Sequence, residues 1–199
     1  GTWTEEQMAQ VALDAQAAGP RVDRLESGGT VEELLAQPFF ADPLRRHDIA
    51  PITDGASAIV LAADDRAREL RERPAWISGI EHRIETPVLG ARELTTSPST
   101  AASAAAATNG DASSIELAEI YAPFSHQQLI LTEAIGLSDS TKINPSGGAL
   151  AANPMFSAGL ERIGFAARHV FAGEASRVLA HATSGPALQQ NLVAVLEGR

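Results

Sequence analysis

From Trp76 onward, short apolar runs that read as strands alternate with stretches of helical periodicity. A chain patterned this way can bury both kinds of element only by laying helices over a sheet. WISGIEHRIE alternates as a strand from Trp76 to Ile84, and SIELAEIYAPF predicts a strand that breaks at Pro123. SHQQLILTEAIGL predicts an amphipathic helix ended by Gly136. A further helix follows Asn153-Pro154, then SRVLAHATSGP predicts a strand entering a Gly-Pro turn, and LQQNLVAVLEG a closing strand. Between the first two strands, the alanines of TSPSTAASAAAATNG would propagate a helix capped by Ser97 or Ser99 and stopped at Asn109-Gly110. A flexible linker is the alternative there. The class is α/β, a mixed sheet flanked by helices, and no internal repeat is visible.

The first 73 residues hold less sheet. Thr4 is a good N-cap with Gln7 at the capping-box position, and Met8, Val11, Ala12 and Ala15 share a helical face. Gly19-Pro20 should end that helix. A loop at Gly28 and Gly29 leads to Thr30, which can cap TVEELLAQ, a short helix stopped by Pro38. Prolines 38, 43 and 51 predict an extended, irregular connection through PFFADPLRRHDIAPIT. After the Asp54-Gly55 turn, ASAIVLAA reads as a short buried strand, and Asp64 as the cap of a helix through Leu70. One strand and three helices cannot make an independent sheet domain. The expected division is therefore 1–73, completing a unit that begins elsewhere, and 74–199, a layered α/β body.

Charge narrows the function. Fifteen Lys and Arg against 25 Asp and Glu leave a net charge of −10, the wrong sign for neutralising nucleic-acid phosphates. A small anionic ligand is still compatible, because backbone amides bind anions without net positive charge. The chain has no cysteine, which removes disulfides, thiolate metal sites and cysteine nucleophiles. The histidines at 47, 82, 169 and 181 show no metal-ligand spacing. No apolar run is long enough to span a bilayer, and GTWTEEQMAQVALDAQ lacks signal-peptide features, so a cytoplasmic protein without a membrane span is expected.

Three places could carry chemistry. In INPSGGALAANPMF, Asn144, Ser146, Gly147, Gly148 and Asn153 gather carboxamides and backbone N–H groups around a double bend. Preorganised donors of this kind could hold a carbonyl oxygen that becomes negative, or the glycines could simply supply positive φ in a tight turn. In AHATSGPALQQN, Ser184 and Gly185 sit at a hairpin whose amides could face a ligand; an ordinary Ser-Gly-Pro turn is the plainer reading. In EIYAPFSHQQ, Tyr121 and His126 flank a strand end, a usual location for chemistry in α/β sheets. There too a buried, hydrogen-bonded tyrosine and a first-turn histidine are the alternatives.

TDGASAIVLA, then IYAPF and INPSGGALAANPMFSAG, then ATSGPALQQNLVAVLEG stand in an order that resembles the thiolase superfamily. The likeness is to the branch of sterol-carrier-protein thiolases and thiolase-like lipid-transfer proteins. It implies that residues 1–73 are the end of a thiolase N-terminal half and that 74–199 are its C-terminal half. It further implies an acyltransferase-like activity making or breaking a carbon–carbon bond next to a CoA thioester, with the thioester as substrate and no cofactor. The departures are specific. Tyr121 stands where an oxyanion-hole Asn or His is usual, Asn153 replaces the general-base His with the flanking spacing shortened by a residue, and Ala187 corresponds to the second cysteine. Asn can hold an oxyanion but cannot exchange a proton at neutral pH. A related branch performs retro-aldol cleavage with tyrosines, so Tyr121, Asn153 and His126 are the expected catalytic residues. Asn144, Ser146, Gly147, Gly148, Ser184 and Gly185 are the expected ligand-binding ones. Expected partners are an acyl-CoA, a chain supplying the N-terminal half, a zinc-ribbon/OB-fold companion, or further copies in an oligomer. The alternative is a catalytically inactive structural subunit.

Overall fold

A computed structural model describes residues 3–19 and 29–198. Pro20 and Gly28, expected at a helix end and a loop, lie outside the described residues. Thr4 forms the expected capping box with Gln7 and starts α1 (Glu5–Ala18). Thr30 does the same with Glu33 for α2 (Val31–Leu35). The proline-rich connection is less irregular than expected: β1 (Phe39–Ala41) and β2 (Leu44–Arg45) pair as a small antiparallel ribbon.

The larger sheet contains β3 (Ala75–Ile84), β4 (Leu117–Ile120), β5 (Lys142–Ile143), β6 (Arg177–Ser184) and β7 (Gln190–Gly198). Its order is β3-β7-β6-β4-β5, with β7 antiparallel to both neighbours and β4 parallel to β5 and β6. The alanine-rich segment is α4 (Pro98–Ala107), a helix and not a linker; Ser97 occupies its cap position without a side-chain cap bond. Asn109 and Gly110 end it with positive φ. Gly79 in β3 serves close approach: a Cβ there would lie 2.0 Å from the Ala107 carbonyl oxygen.

Period-two alternation sorts the core onto two faces. Ala118, Ile120, Leu179, Val193 and Val195 pack with α4 and with α5 (Ser125–Ile135). Leu117, Val178, Ala180 and Leu196 pack on the other face against Ala166 and Val170 of α7 (Ala158–Ala172). The result is three layers, helix on sheet on helix. The short α6 (Gly148–Ala151) joins α1 in a satellite cluster through Leu150, Val11 and Ala15.

One expected strand is absent. ASAIVLAA carries no secondary structure, and Ile59, Val60 and Leu61 are 41%, 88% and 74% exposed. A lone extended segment cannot satisfy its own N–H and C=O groups, and among the described residues no strand pairs with it. It roofs an open, mainly apolar groove of about 970 Å³ over α7 and α3 (Asp64–Leu70). Asp64 is the first residue of α3, while Ala63 holds the cap position. No helix among the described residues is long and apolar enough to cross a membrane.

Candidate functional site

β4 runs parallel to its neighbours, and the chain leaves its C-terminal end through Tyr121, whose N–H still donates to the His181 carbonyl at 3.2 Å. The Tyr121 side chain is buried against Ala50, Ala149 and Ala158. Its hydroxyl donates to Asn153 Oδ1 at 3.0 Å, and Asn153 is itself buried. Burial pushes the phenol above its usual value, opposed by the Asn153 hydrogen bond and the Arg162 charge. Tyr121 is therefore protonated at neutral pH, a proton donor beside a carboxamide. With Oδ1 committed to Tyr121, Nδ2 is the end of Asn153 that can donate to a ligand.

The stretch 49–53 lies against this pair. The Ala50 N–H donates to the Pro123 carbonyl at 2.9 Å and the Thr53 N–H to the Asn153 carbonyl at 3.2 Å. The Thr53 hydroxyl is buried without a hydrogen-bond partner among the described residues.

The double bend is built differently from an open cradle. Asn144 Oδ1 accepts from Ile120 N–H at 2.6 Å, and its Nδ2 donates to Gln128 at 2.7 Å. Ser146 gives its N–H and hydroxyl to Glu119, at 3.2 and 2.6 Å. The Gly147 N–H reaches the Asn144 carbonyl at 2.8 Å, and that of Gly148 the Ser146 hydroxyl at 3.3 Å. The expectation of free donors on Asn144, Ser146, Gly147 and Gly148 is corrected accordingly, because each is committed within the chain. The glycines answer to close approach: a Cβ on Gly147 would lie 2.6 Å from Gly19 Cα, and one on Gly148 2.7 Å from Asn144 Nδ2.

Behind the bend is a charged cluster that the sequence reading passed over. Glu119, fully buried, meets Arg162 Nη1 at 3.2 Å and His169 Nε2 at 3.2 Å. His169 continues to Glu174, at 2.5 Å. The hydrogen bond that His169 donates to Glu119, with help from Glu174, raises His169 above its ordinary value against the effect of burial. The signal for this cluster was a single glutamate at an alternate position of an otherwise apolar strand, opposite an arginine on a helix.

The other candidates are not joined to the pair. His126, the second residue of α5, stacks 5.7 Å from Phe124, and its Nδ1 is buried without a partner among the described residues. Burial holds it below the ordinary value. Ser184 ends β6 exposed, and Gly185 turns the hairpin with φ +74°. Arg92 fastens the carbonyls of Pro186 and Ala187 at 3.0 and 2.6 Å. Among the described residues, no hydrogen bond links His126, Ser184 or Gly185 to Tyr121 or Asn153. No group of three or more His, Asp or Glu there could hold a metal ion.

No family model matches the chain. It is 29% identical over 185 residues to an acetyl-CoA acetyltransferase of Methanothermobacter thermautotrophicus, covering 79% of this chain and 47% of that protein. To an acetyl-CoA acetyltransferase of Methanocaldococcus jannaschii it is 25% identical over 189 residues, covering 82% and 48%. The chain thus spans about half the length of these relatives. Among solved structures, the Ltp2-ChsH2(DUF35) aldolase superposes with a TM-score of 0.83 at 22% identity, over 98% of this chain and 59% of that one. The acetyl-CoA acetyltransferase of Bacillus anthracis gives 0.74 at 17%, over 98% and 56%.

Proposed function

We propose that this chain, whose thiolase-like α/β fold covers part of a full-length relative, is the C-terminal portion of an acyl-CoA-binding protein that acts on a carbon–carbon bond next to the thioester, by acyl transfer or retro-aldol cleavage. The observation that carries this reading is the buried Tyr121–Asn153 hydrogen bond at the C-terminal end of β4. It sets one proton-exchanging group beside one oxyanion donor without cysteine or a histidine at position 153. In this scheme Tyr121 Oη gives or takes the proton of the reacting carbon framework. Asn153 Nδ2 donates to the thioester oxygen as it becomes negative.

The site is completed by an N-terminal half, as part of a longer protein or a separate chain. Supporting this is the apolar surface left uncovered: Ile59, Val60 and Leu61 along the groove, with Ile77 of β3 49% exposed beside them. The aldolase named as a complex with a DUF35 protein supports a hetero-oligomer as the working form. Titration calorimetry of the assembled protein with acyl-CoAs is expected to give saturable heat that Asn153→Ala weakens. Absence of heat for every chain length would remove the reading.

A structural subunit is the second reading. It is favoured by the internal commitment of Asn144, Ser146, Gly147 and Gly148, which leaves the bend holding the fold together.

A further inference from the structure

Two periodicities meet beneath Tyr121. Glu119 and Tyr121 are two residues apart at the end of β4 and project from the same face of the sheet. α7 covers that face, and on it Ala158 and Arg162 are one turn apart and share a helical face. Ala158 packs on Tyr121, so Arg162, one turn on, sits over Glu119, as its 3.2 Å ion pair records. Arg162 is 2% exposed, and its second tie, 2.9 Å to the Ser146 hydroxyl, fixes the guanidinium to the bend. Its Nε is buried with no hydrogen-bond partner among the described residues. A structural ion pair gains nothing from an N–H left without an acceptor. An arginine placed to project charge onto a neighbouring group tolerates it.

We infer that Arg162 is a positioning residue for proton transfer at Tyr121: locked by Glu119 and Ser146, it holds a buried positive charge that stabilises the phenolate formed when the hydroxyl gives up its proton. This deepens the reading proposed above and rests on it for the role of Tyr121. The titratable and charged groups on elements packed around Tyr121 are Glu119 on β4, Glu161, Arg162, Arg168 and His169 on α7, and Asp54 on the adjoining segment; His169 pairs with Glu119 at 3.2 Å, and Glu161 is a further, 3.4 Å partner of Arg162. His181 on β6 is turned to the opposite face, where it bonds Asn191.

The chain has a single tyrosine, so tyrosinate absorbance, taken as a difference against Tyr121→Phe, reports this hydroxyl without any ligand. In the assembled protein, Arg162→Gln is expected to raise the titration midpoint by about one pH unit, the scale set by a close opposite charge. Arg162→Lys should stay within a few tenths of a unit by the same scale, and Glu119→Gln should lower the midpoint. If Arg162→Gln does not fold, the Arg162→Gln/Glu119→Gln pair leaves no lone buried charge and is compared with Glu119→Gln; a rise is again expected. A midpoint unmoved on removing Arg162, with only stability lost, would overturn the inference. Because no substrate enters the titration, that failure is distinct from a protein that titrates as expected and binds no acyl-CoA.

Discussion

Glu119 and Tyr121 leave the same strand end on the same face of the sheet, and each finds its partner across a loop: Arg162 at 3.2 Å for the carboxylate, Asn153 at 3.0 Å for the phenol. The first contact is electrostatic and buried, the second a neutral hydrogen bond. The site stands on the difference between them.

Breaking the charged contact should be costly. Glu119→Ala leaves Arg162 buried without its main counterion, a change of about 3–5 kcal/mol in comparable sites. Urea unfolding is expected to show a loss of that order. Glu69→Ala, which removes the exposed Arg66–Glu69 pair at 2.7 Å, should show none that is measurable.

Stability should depend on pH from both sides. His169 is raised in the folded protein, so its contribution is complete below the unfolded value near 6.5 and is lost as pH climbs through the folded one. His181, fully buried, is lowered to about 4, so the unfolded chain takes its proton first and stability falls as pH drops from about 6.5 towards that value. His47 and His126, lowered by burial, add to the acid-side loss. A series of denaturation curves is expected to show His181→Gln flattening the acid slope by up to about 3 kcal/mol.

Gly147 should tolerate substitution less well than Gly148. Both have positive φ, +87° and +60°, but the Cβ at 147 meets the backbone of Gly19 and the one at 148 meets the side chain of Asn144. Side chains can shift where main chain cannot. Thermal unfolding is expected to rank Gly147→Ala below Gly148→Ala, with each losing at least about 1 kcal/mol to the left-handed backbone alone.

Much of the architecture was legible because its signals are local. Thr4 and Thr30 carry capping boxes in four residues, and the alternation of Leu117 to Ile120 and of β6 and β7 fixes which side chains face which helix layer. ASAIVLAA misled because an apolar, β-prone run becomes a strand only beside a partner, and that partner is not written into the segment. Site donors were misjudged for a related reason. Composition reveals that Asn144, Ser146 and two glycines are near one another, but not that Ile120, Gln128 and Glu119 already engage them. The Glu119–Arg162 pair was readable in principle, from an i, i+2 step on a strand facing an i, i+4 step on a helix. It needed the knowledge that α7 covers that face.

The most direct measurement of the proposed function is turnover of an acyl-CoA by the unaltered protein and by Tyr121→Phe. Loss of the hydroxyl removes the proton donor while keeping the ring packed on Ala149 and Ala158, so folding and acyl-CoA affinity should hold while kcat falls by about 10²-fold or more. Turnover undiminished in Tyr121→Phe would contradict the account.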